Sequence, residues 1–168
     1  IDSGEWKLPE EDAEREMYET ARVILARHGY RQYEISNFAL PGRECRHNVD
    51  CWKRREYLGF GAAACGFIGN MRYRNPMSIE SYLAFCSPEI TRLSASDAMF
   101  ESVMLGLRMT EGLSEEAFWQ MHGVRFEDAY GRQARIPIEQ GLLERKDGFV
   151  RLTRRGMDVQ NAVLLHFL

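Results

Sequence analysis

The residues with the clearest capacity for chemistry lie between Cys45 and Trp52. Within seven positions, Cys45, His47 and Cys51 supply two thiols and an imidazole, and such soft ligands suit zinc, iron or haem iron. The spacing C-x-H-x-x-x-C matches none of the common zinc patterns, which use more closely paired ligands. A structural alternative stays open, in which His47 and Asn48 hydrogen-bond the backbone of a loop while Trp52 packs.

A second segment of interest is rich in glycine. Gly59 and Gly61 begin a sequence that could form a phosphate- or cofactor-binding loop, but Ala64 stands where the pattern G-x-G-x-x-G needs its third glycine. The alternative is a strand end at which small residues let two backbones approach closely. The spacing alone leaves both interpretations open.

The helices and strands that position these segments can be predicted from the spacing of apolar residues and from the glycines and prolines that end each element. Residues 9–28 predict a helix that ends before Gly29, and residues 32–38 predict a short strand. A helix followed by a strand is typical of α/β architectures, barrels included. Residues 43–75 predict irregular structure, and a connector near residues 87–93 predicts a domain boundary.

The C-terminal part of the chain has a different, mainly helical pattern. A single Asp-Gly turn between two short alternating runs predicts a β-hairpin. The predicted elements are helices at 94–109, 114–122 and 126–140, a β-hairpin around Asp147-Gly148, and a final helix capped by Thr153. Three helices, a hairpin and a helix together predict a winged-helix-like module.

Composition narrows the function classes. The 168 residues are 45% apolar and carry a net charge of −3, which suits one domain or two small ones. We expect no nucleic-acid partner, because acidic residues interleave with the basic ones of the C-terminal module and a groove-binding face must be basic. No apolar run reaches the roughly 20 residues of a membrane span. With no signal-peptide pattern, the expected compartment is the cytoplasm, with all four cysteines as free thiols.

A series of short motifs resembles the oxygen-independent coproporphyrinogen III oxidase–like family. Each motif is modest alone, but they occur in the family's order and cover nearly the whole chain. They are YEISNFA at 33–39, RHN at 46–48 with Trp52, YLGFGA at 57–62, R-Y-x-N at 72–75, E-x-x-M-L-G-L-R-x-T-E-G at 101–112, GLL at 141–143 and L-T-x-R-G at 152–156.

The resemblance implies a fold and its cofactors. Family members have a radical-SAM partial (β/α) barrel followed by a winged-helix-like helical domain. Residues 1–87 would then be the last barrel units, with a His-Asn loop, and residues 93–168 the C-terminal domain. The family's C-x-x-x-C-x-x-C motif, which binds a [4Fe–4S] cluster, is absent here. Because the chain also begins without Met, we expect a fragment of a longer parent, which would bind the cluster and S-adenosylmethionine upstream. This chain alone should then be inactive.

The resemblance also implies a ligand. One branch of the family oxidatively decarboxylates coproporphyrinogen III, and the other, with the signature His-Asn-x-x-Tyr-Trp, comprises haem chaperones that pass haem to acceptor proteins. Here Cys51 replaces the tyrosine, and Cys65 stands where the family usually has histidine. We therefore expect haem or porphyrin as ligand and His47 as an iron ligand. Further haem-binding candidates are Asn48, Cys51, Trp52 and Cys65.

Several expectations follow from the same resemblance. Its cofactor-proximal candidates in this chain are Glu34, Asn37, Gly59 and Gly61, with no catalytic residue in the fragment. Two alternatives to a haem chaperone stay open: a coproporphyrinogen III dehydrogenase, and a non-catalytic docking module for a haem-acceptor protein. Since a truncated barrel would expose strand edges, we also expect self-association through residues 32–38.

Overall fold

Residues 9–168 are described by a computed structural model, and their contacts separate into two units after Glu44. The second unit is Cys45–Leu168. This division lies well before the boundary at 87–93 that the sequence predicted. The assignment of 1–87 to the end of a barrel and of 93–168 to a C-terminal domain stays a prediction.

The first unit has one long helix, α1 (Glu11–Arg27). Acidic residues fill its first turn, where they stabilise the positive end of the helix dipole. Gly29, at φ 82°, follows the helix. This confirms the helix and the stop predicted from the sequence.

The strand predicted at residues 32–38 is wrong. Two strands of two residues lie there instead, β1 (Arg31–Gln32) and β2 (Phe38–Ala39), and they pair antiparallel. The turn between them is fixed by Glu34, which is fully buried. Its carboxylate accepts hydrogen bonds from the Ser36 backbone N–H (2.7 Å) and from the Asn37 side-chain amide (2.6 Å). Self-association through this segment stays a prediction.

The second unit begins with a helix where the sequence predicted a loop. Helix α2 (Arg46–Trp52) contains the whole His-Asn segment. Neither glycine nor proline interrupts it, and it packs against a later helix, α4 (Ala95–Gly106). Tertiary packing therefore outweighs the weak helix propensity of Asn48, Val49 and Asp50.

A three-stranded antiparallel sheet follows, in the order β3-β4-β5. Its strands are β3 (Cys65–Ile68), β4 (Met71–Arg74) and β5 (Glu89–Arg92). The connector predicted at 87–93 is therefore wrong, because most of it is the edge strand β5, paired with β4. Between β4 and β5 lies α3 (Ile79–Leu83), which is capped by the side chain of Ser78.

The remaining elements follow the predicted order. The side chains of Ser94, Ser114 and Thr153 each cap a helix. The Asp147-Gly148 turn joins two paired strands, and the helix predicted after Thr153 is broken at Val159. The elements after α4 are β6 (Leu113–Ser114), α5 (Glu115–His122), α6 (Phe126–Glu139), β7 (Leu143–Lys146), β8 (Phe149–Leu152), α7 (Arg154–Asp158), α8 (Gln160–Leu164) and a 3-10 turn (Leu165–Phe167).

The core lies in this C-terminal part. It packs α4, α5 and α6 against the sheet β6-β8-β7 and the last helical turns, around a chain of aromatic rings. The rings of that chain are Phe118, Phe126, Tyr130 and Phe167. Because these side chains are almost fully buried, they hold α5, α6 and the final 3-10 turn together. Within residues 9–168, no helix is long and apolar enough to cross a membrane.

Candidate functional site

Helix α2 brings together two of the predicted ligands. His47 and Cys51 are four residues apart and therefore lie on one helix face. The Cys51 sulfur is 3.8 Å from Nε2 of His47. The ring of His47 is exposed and Cys51 is half-buried, so a ligand can reach the pair from outside.

The protonation of Cys51 follows from its surroundings. Burial raises the pKa of its thiol, the carboxylate of Asp50 raises it further, and the guanidinium of Arg72 opposes both. The thiol is therefore the dominant form at neutral pH, and it can donate to the imidazole of His47. Iron ligation by sulfur would require loss of that proton.

Two further residues complete this face, and sequence reasoning did not select either as a site residue. The ring of Tyr57 meets that of His47 edge-on, with centroids 6.3 Å apart. Arg72 on β4 donates through Nη1 to the Tyr57 hydroxyl over a long 3.4 Å. Both residues lie within motifs that carry the family resemblance, which was the available signal.

Arg72 is held by a largely buried charge cluster. Glu101 on α4 receives the Nε of Arg72 at 2.8 Å and the Nε of Arg54 at 2.9 Å, one on each carboxylate oxygen. The Phe67 ring lies against both guanidinium groups, at 4.7 Å from Arg54 and 5.3 Å from Arg72. Arg54 also donates to the Asn70 side chain. The cluster ties α4 to the sheet that carries Arg72.

Trp52 is the last residue of α2, and its side chain packs within the protein. The guanidinium of Arg108 lies over its ring at 4.4 Å, a cation–π contact that holds α2 near the end of α4. The indole Nε1 is buried without a hydrogen-bond partner among the described residues. The proposed contact of Trp52 or Asn48 with haem stays a prediction.

The glycine segment is locked by its own chain. The Asn75 amide donates to the carbonyl oxygens of Gly59 (3.2 Å) and Gly61 (3.0 Å), while Gly59 N–H donates to the Tyr73 hydroxyl (2.8 Å). A Cβ at Gly59 would lie 2.1 Å from the carbonyl oxygen of Cys65. The close approach of two backbones therefore explains why position 59 is glycine. This agrees with the structural alternative, in which small residues at a strand end let two backbones approach closely.

The other predicted site residues have contacts within their own elements. Cys65 is exposed at the start of β3, and its thiol lies 3.9 Å from the Ala63 carbonyl oxygen. Glu34 and Asn37 belong to the first unit, where their side chains bond each other in the β1–β2 turn. Their role near a cofactor stays a prediction.

A cavity of about 470 Å³ is lined in part by Arg54 of the charge cluster. The size is in the range of small-molecule pockets. Its basic side chains are engaged, since Lys53 lies 3.6 Å from Glu111 and Arg54 is bound by Glu101. Its lining includes Trp52, Arg54, Ser102, Met109, Leu113 and Met121.

The side chains present do not fit an iron–sulfur cluster. Throughout residues 9–168, no group of three or more His, Cys, Asp or Glu side chains is placed to hold a metal ion. All four cysteines are free thiols. A ligand brought by its own macrocycle, such as haem, needs as few as one protein ligand, which the α2 face can supply.

Comparison with protein families identifies the C-terminal part. Residues 93–159 match the family described as the HemN C-terminal domain. This range begins just before α4 and ends within the broken final helix. It therefore covers the part of the chain that holds most of the core.

Comparison with curated proteins covers nearly the whole chain. The chain is 38% identical to a protein named heme chaperone HemW from Lactococcus lactis, over 98% of this chain and 45% of that protein. It is 33% identical to the protein of the same name from Bacillus subtilis, over 100% of this chain and 46% of that one. The chain thus spans less than half the length of these relatives.

Comparison with solved structures supports the fold. The structure of coproporphyrinogen III oxidase (HemN) from Escherichia coli, described as a radical SAM enzyme, matches 95% of this chain and 42% of its own. The TM-score is 0.72 and the sequence identity is 16%. At this identity the match concerns the fold alone.

Proposed function

Because the chain belongs to the oxygen-independent coproporphyrinogen III oxidase–like family and resembles its haem chaperones, we propose that it forms part of a haem chaperone and binds haem through His47. The observation that carries this proposal is the exposed imidazole of His47 on α2, with the Cys51 thiol 3.8 Å away. The relatives named heme chaperone, at 33% and 38% identity, favour this function over coproporphyrinogen III dehydrogenase.

The geometry of α2 sets the ligation. His47 and Cys51 project from the same helix face, so the two side chains would meet a bound haem from one side and compete for its iron. The raised pKa of the Cys51 thiol favours His47, with Cys51 as a hydrogen-bonding neighbour. Cys65 remains a second candidate ligand.

The wider proposal concerns the parent protein. Its radical-SAM barrel would supply the [4Fe–4S] cluster and S-adenosylmethionine, and residues 1–87 would form its last units. The helices, hairpin and final helix after Ser94 would form a winged-helix-like domain, with exposed side chains for a haem-acceptor protein. The fold match to HemN supports the barrel assignment, and the predicted location is the cytoplasm.

The experiment is a haem titration of this chain followed by absorbance. Wild type is compared with His47→Ala, with Cys51→Ser, and with His166→Ala, which removes an exposed histidine far along the chain. We expect a stoichiometric shift of the Soret band that His47→Ala abolishes and His166→Ala leaves unchanged. Cys51→Ser should keep the shift.

Two outcomes would contradict this ligand assignment. Thiolate-type absorbance that survives His47→Ala would move ligation to Cys51 or Cys65. A Soret shift that persists in all three variants would show that haem binds elsewhere.

A further inference from the structure

The charge cluster behind the α2 face is not neutral. Arg54 and Arg72 share the single carboxylate of Glu101, so the three side chains carry one net positive charge. Arg54 is the inner partner, with 7% of its side chain exposed, and Glu101 has 12% exposed. Arg72 is 36% exposed. The excess charge therefore meets solvent at Arg72.

The side of the Arg72 guanidinium that Glu101 does not engage is directed at the candidate site. Glu101 engages Nε at 2.8 Å and Nη2 at 2.7 Å, which leaves Nη1 directed at the Tyr57 hydroxyl. Tyr57 in turn contacts the ring of His47. Arg72 is also close enough to Cys51 for its charge to influence that thiol. One cationic N–H group is therefore linked to the proposed iron ligand through the side chain of Tyr57.

The bond that Nη1 makes now is easily exchanged. At 3.4 Å it is long for a hydrogen bond, so replacing it costs little. A carboxylate placed there could accept from Arg72 and from the Tyr57 hydroxyl together. Glu101 and the Phe67 ring already fix the guanidinium, so little side-chain freedom is lost on binding.

We propose that Arg72 binds a carboxylate of the tetrapyrrole ligand while the face of α2 that carries His47 meets the macrocycle. The inference rests on the proposed function, because it takes the ligand to be a tetrapyrrole. It adds a specificity: the site selects ring systems that carry acidic side chains. Arg72 is a binding residue for the periphery of the ligand, and Glu101 is the positioning residue behind it.

The test uses a porphyrin without iron, so that ligation by His47 plays no part. Metal-free protoporphyrin IX and its dimethyl ester are titrated against wild type, Arg72→Gln and Arg74→Gln, with porphyrin fluorescence as the readout. Arg74 is the matched control, since it lies on the same strand and is exposed. Wild type should bind the free acid about tenfold or more tightly than the ester, the size of one charge-assisted hydrogen bond.

Arg72→Gln should lose this preference while binding the ester as wild type does, and that unchanged ester affinity shows that the variant is folded. Arg74→Gln should keep the preference. Arg72→Lys, which keeps a charge but loses the planar fork, should keep part of it.

The inference is overturned if wild type binds acid and ester equally, if it binds neither, or if Arg72→Gln still prefers the acid. Failure of the proposed function looks different. His47→Ala would then leave the Soret shift with haem intact, whereas the acid-over-ester preference of the iron-free porphyrin does not depend on His47.

Discussion

Ser102 on α4 and His122 on α5 are joined by a hydrogen bond of 2.8 Å between Oγ and Nε2. The His122 ring also packs against Phe118 in the core, with centroids 4.7 Å apart. Burial lowers the pKa of His122, and the positive charge of Arg54 lowers it further. The surroundings of His122 therefore favour its neutral imidazole.

The lowered pKa of His122 predicts that the stability of the protein depends on pH. In the unfolded chain His122 titrates near its ordinary pKa of about 6.5, and in the folded chain it titrates lower. Below about pH 6.5 the unfolded state therefore binds more protons, and the free energy of unfolding should fall from pH 7.5 to pH 5.5. In His122→Gln this fall should be smaller, as measured by urea unfolding at both pH values.

The control for that measurement is His166→Gln, because His166 is exposed near the C-terminus. It should show the same fall as wild type. Equal pH dependence in His122→Gln and wild type would mean that other groups dominate this range.

Cysteine reactivity tests the electrostatics of the α2 face. Because burial and Asp50 raise the pKa of the Cys51 thiol, it forms less of the reactive thiolate near pH 8. In the ligand-free chain, iodoacetamide should therefore alkylate Cys51 more slowly than the exposed Cys86, as followed by peptide mass spectrometry.

Asp50→Asn provides the matched variant for this prediction. It removes the charge of Asp50, one of the effects that raise the pKa of the Cys51 thiol, so alkylation of Cys51 should become faster while that of Cys86 stays the same. Alkylation of Cys51 that is faster than that of Cys86 in wild type would contradict the assigned environment.

The Glu101 cluster predicts a large loss of stability on removal of one charge. Glu101→Gln would leave two guanidinium groups, one of them 7% exposed, without a compensating carboxylate. Breaking a mostly buried pair in this way should lower the free energy of unfolding by about 3 kcal/mol. Chemical denaturation measures the change.

The comparison for Glu101 is Glu111→Gln. Glu111 pairs with Lys53 at 3.6 Å, and both side chains are about half exposed, so its loss should change stability by less than about 1 kcal/mol. Similar losses in the two variants would show that the cluster around Glu101 is not a special contributor.

Local signals in the sequence were sufficient where the structure itself is local. The cap at Thr153 and the Asp147-Gly148 hairpin follow from neighbouring residues, and both were predicted. The failures lie where distant contacts decide. Residues 46–52 form a helix because α4 packs against them, and residues 89–92 form a strand because β4 pairs with them.

The candidate site shows the same division. The pairing of His47 with Cys51 was within reach of the sequence, once α2 was known to be a helix. Tyr57, Arg72 and Glu101 were not, because they join the site through bonds across 15 and 29 residues of chain. No spacing rule links them, and only their place in family motifs marked them.

Gly59 offers a last test, of how the glycine segment is built. An alanine Cβ at this position would lie 2.1 Å from the backbone oxygen of Cys65 and 2.6 Å from its carbonyl carbon, so β3 would have to move. Such overpacking costs roughly 1–3 kcal/mol or more, and Gly59→Ala should lower the free energy of unfolding by at least the upper part of that range.

Gly69→Ala is the control. Its Cβ would meet nothing within 4 Å, and only its φ of 52° is unfavourable, at about 1–2 kcal/mol. If Gly59→Ala lowers the free energy of unfolding by less than Gly69→Ala does, the segment can rearrange around the added methyl group. Close packing would then not explain Gly59, and a direct role toward a cofactor would be the alternative.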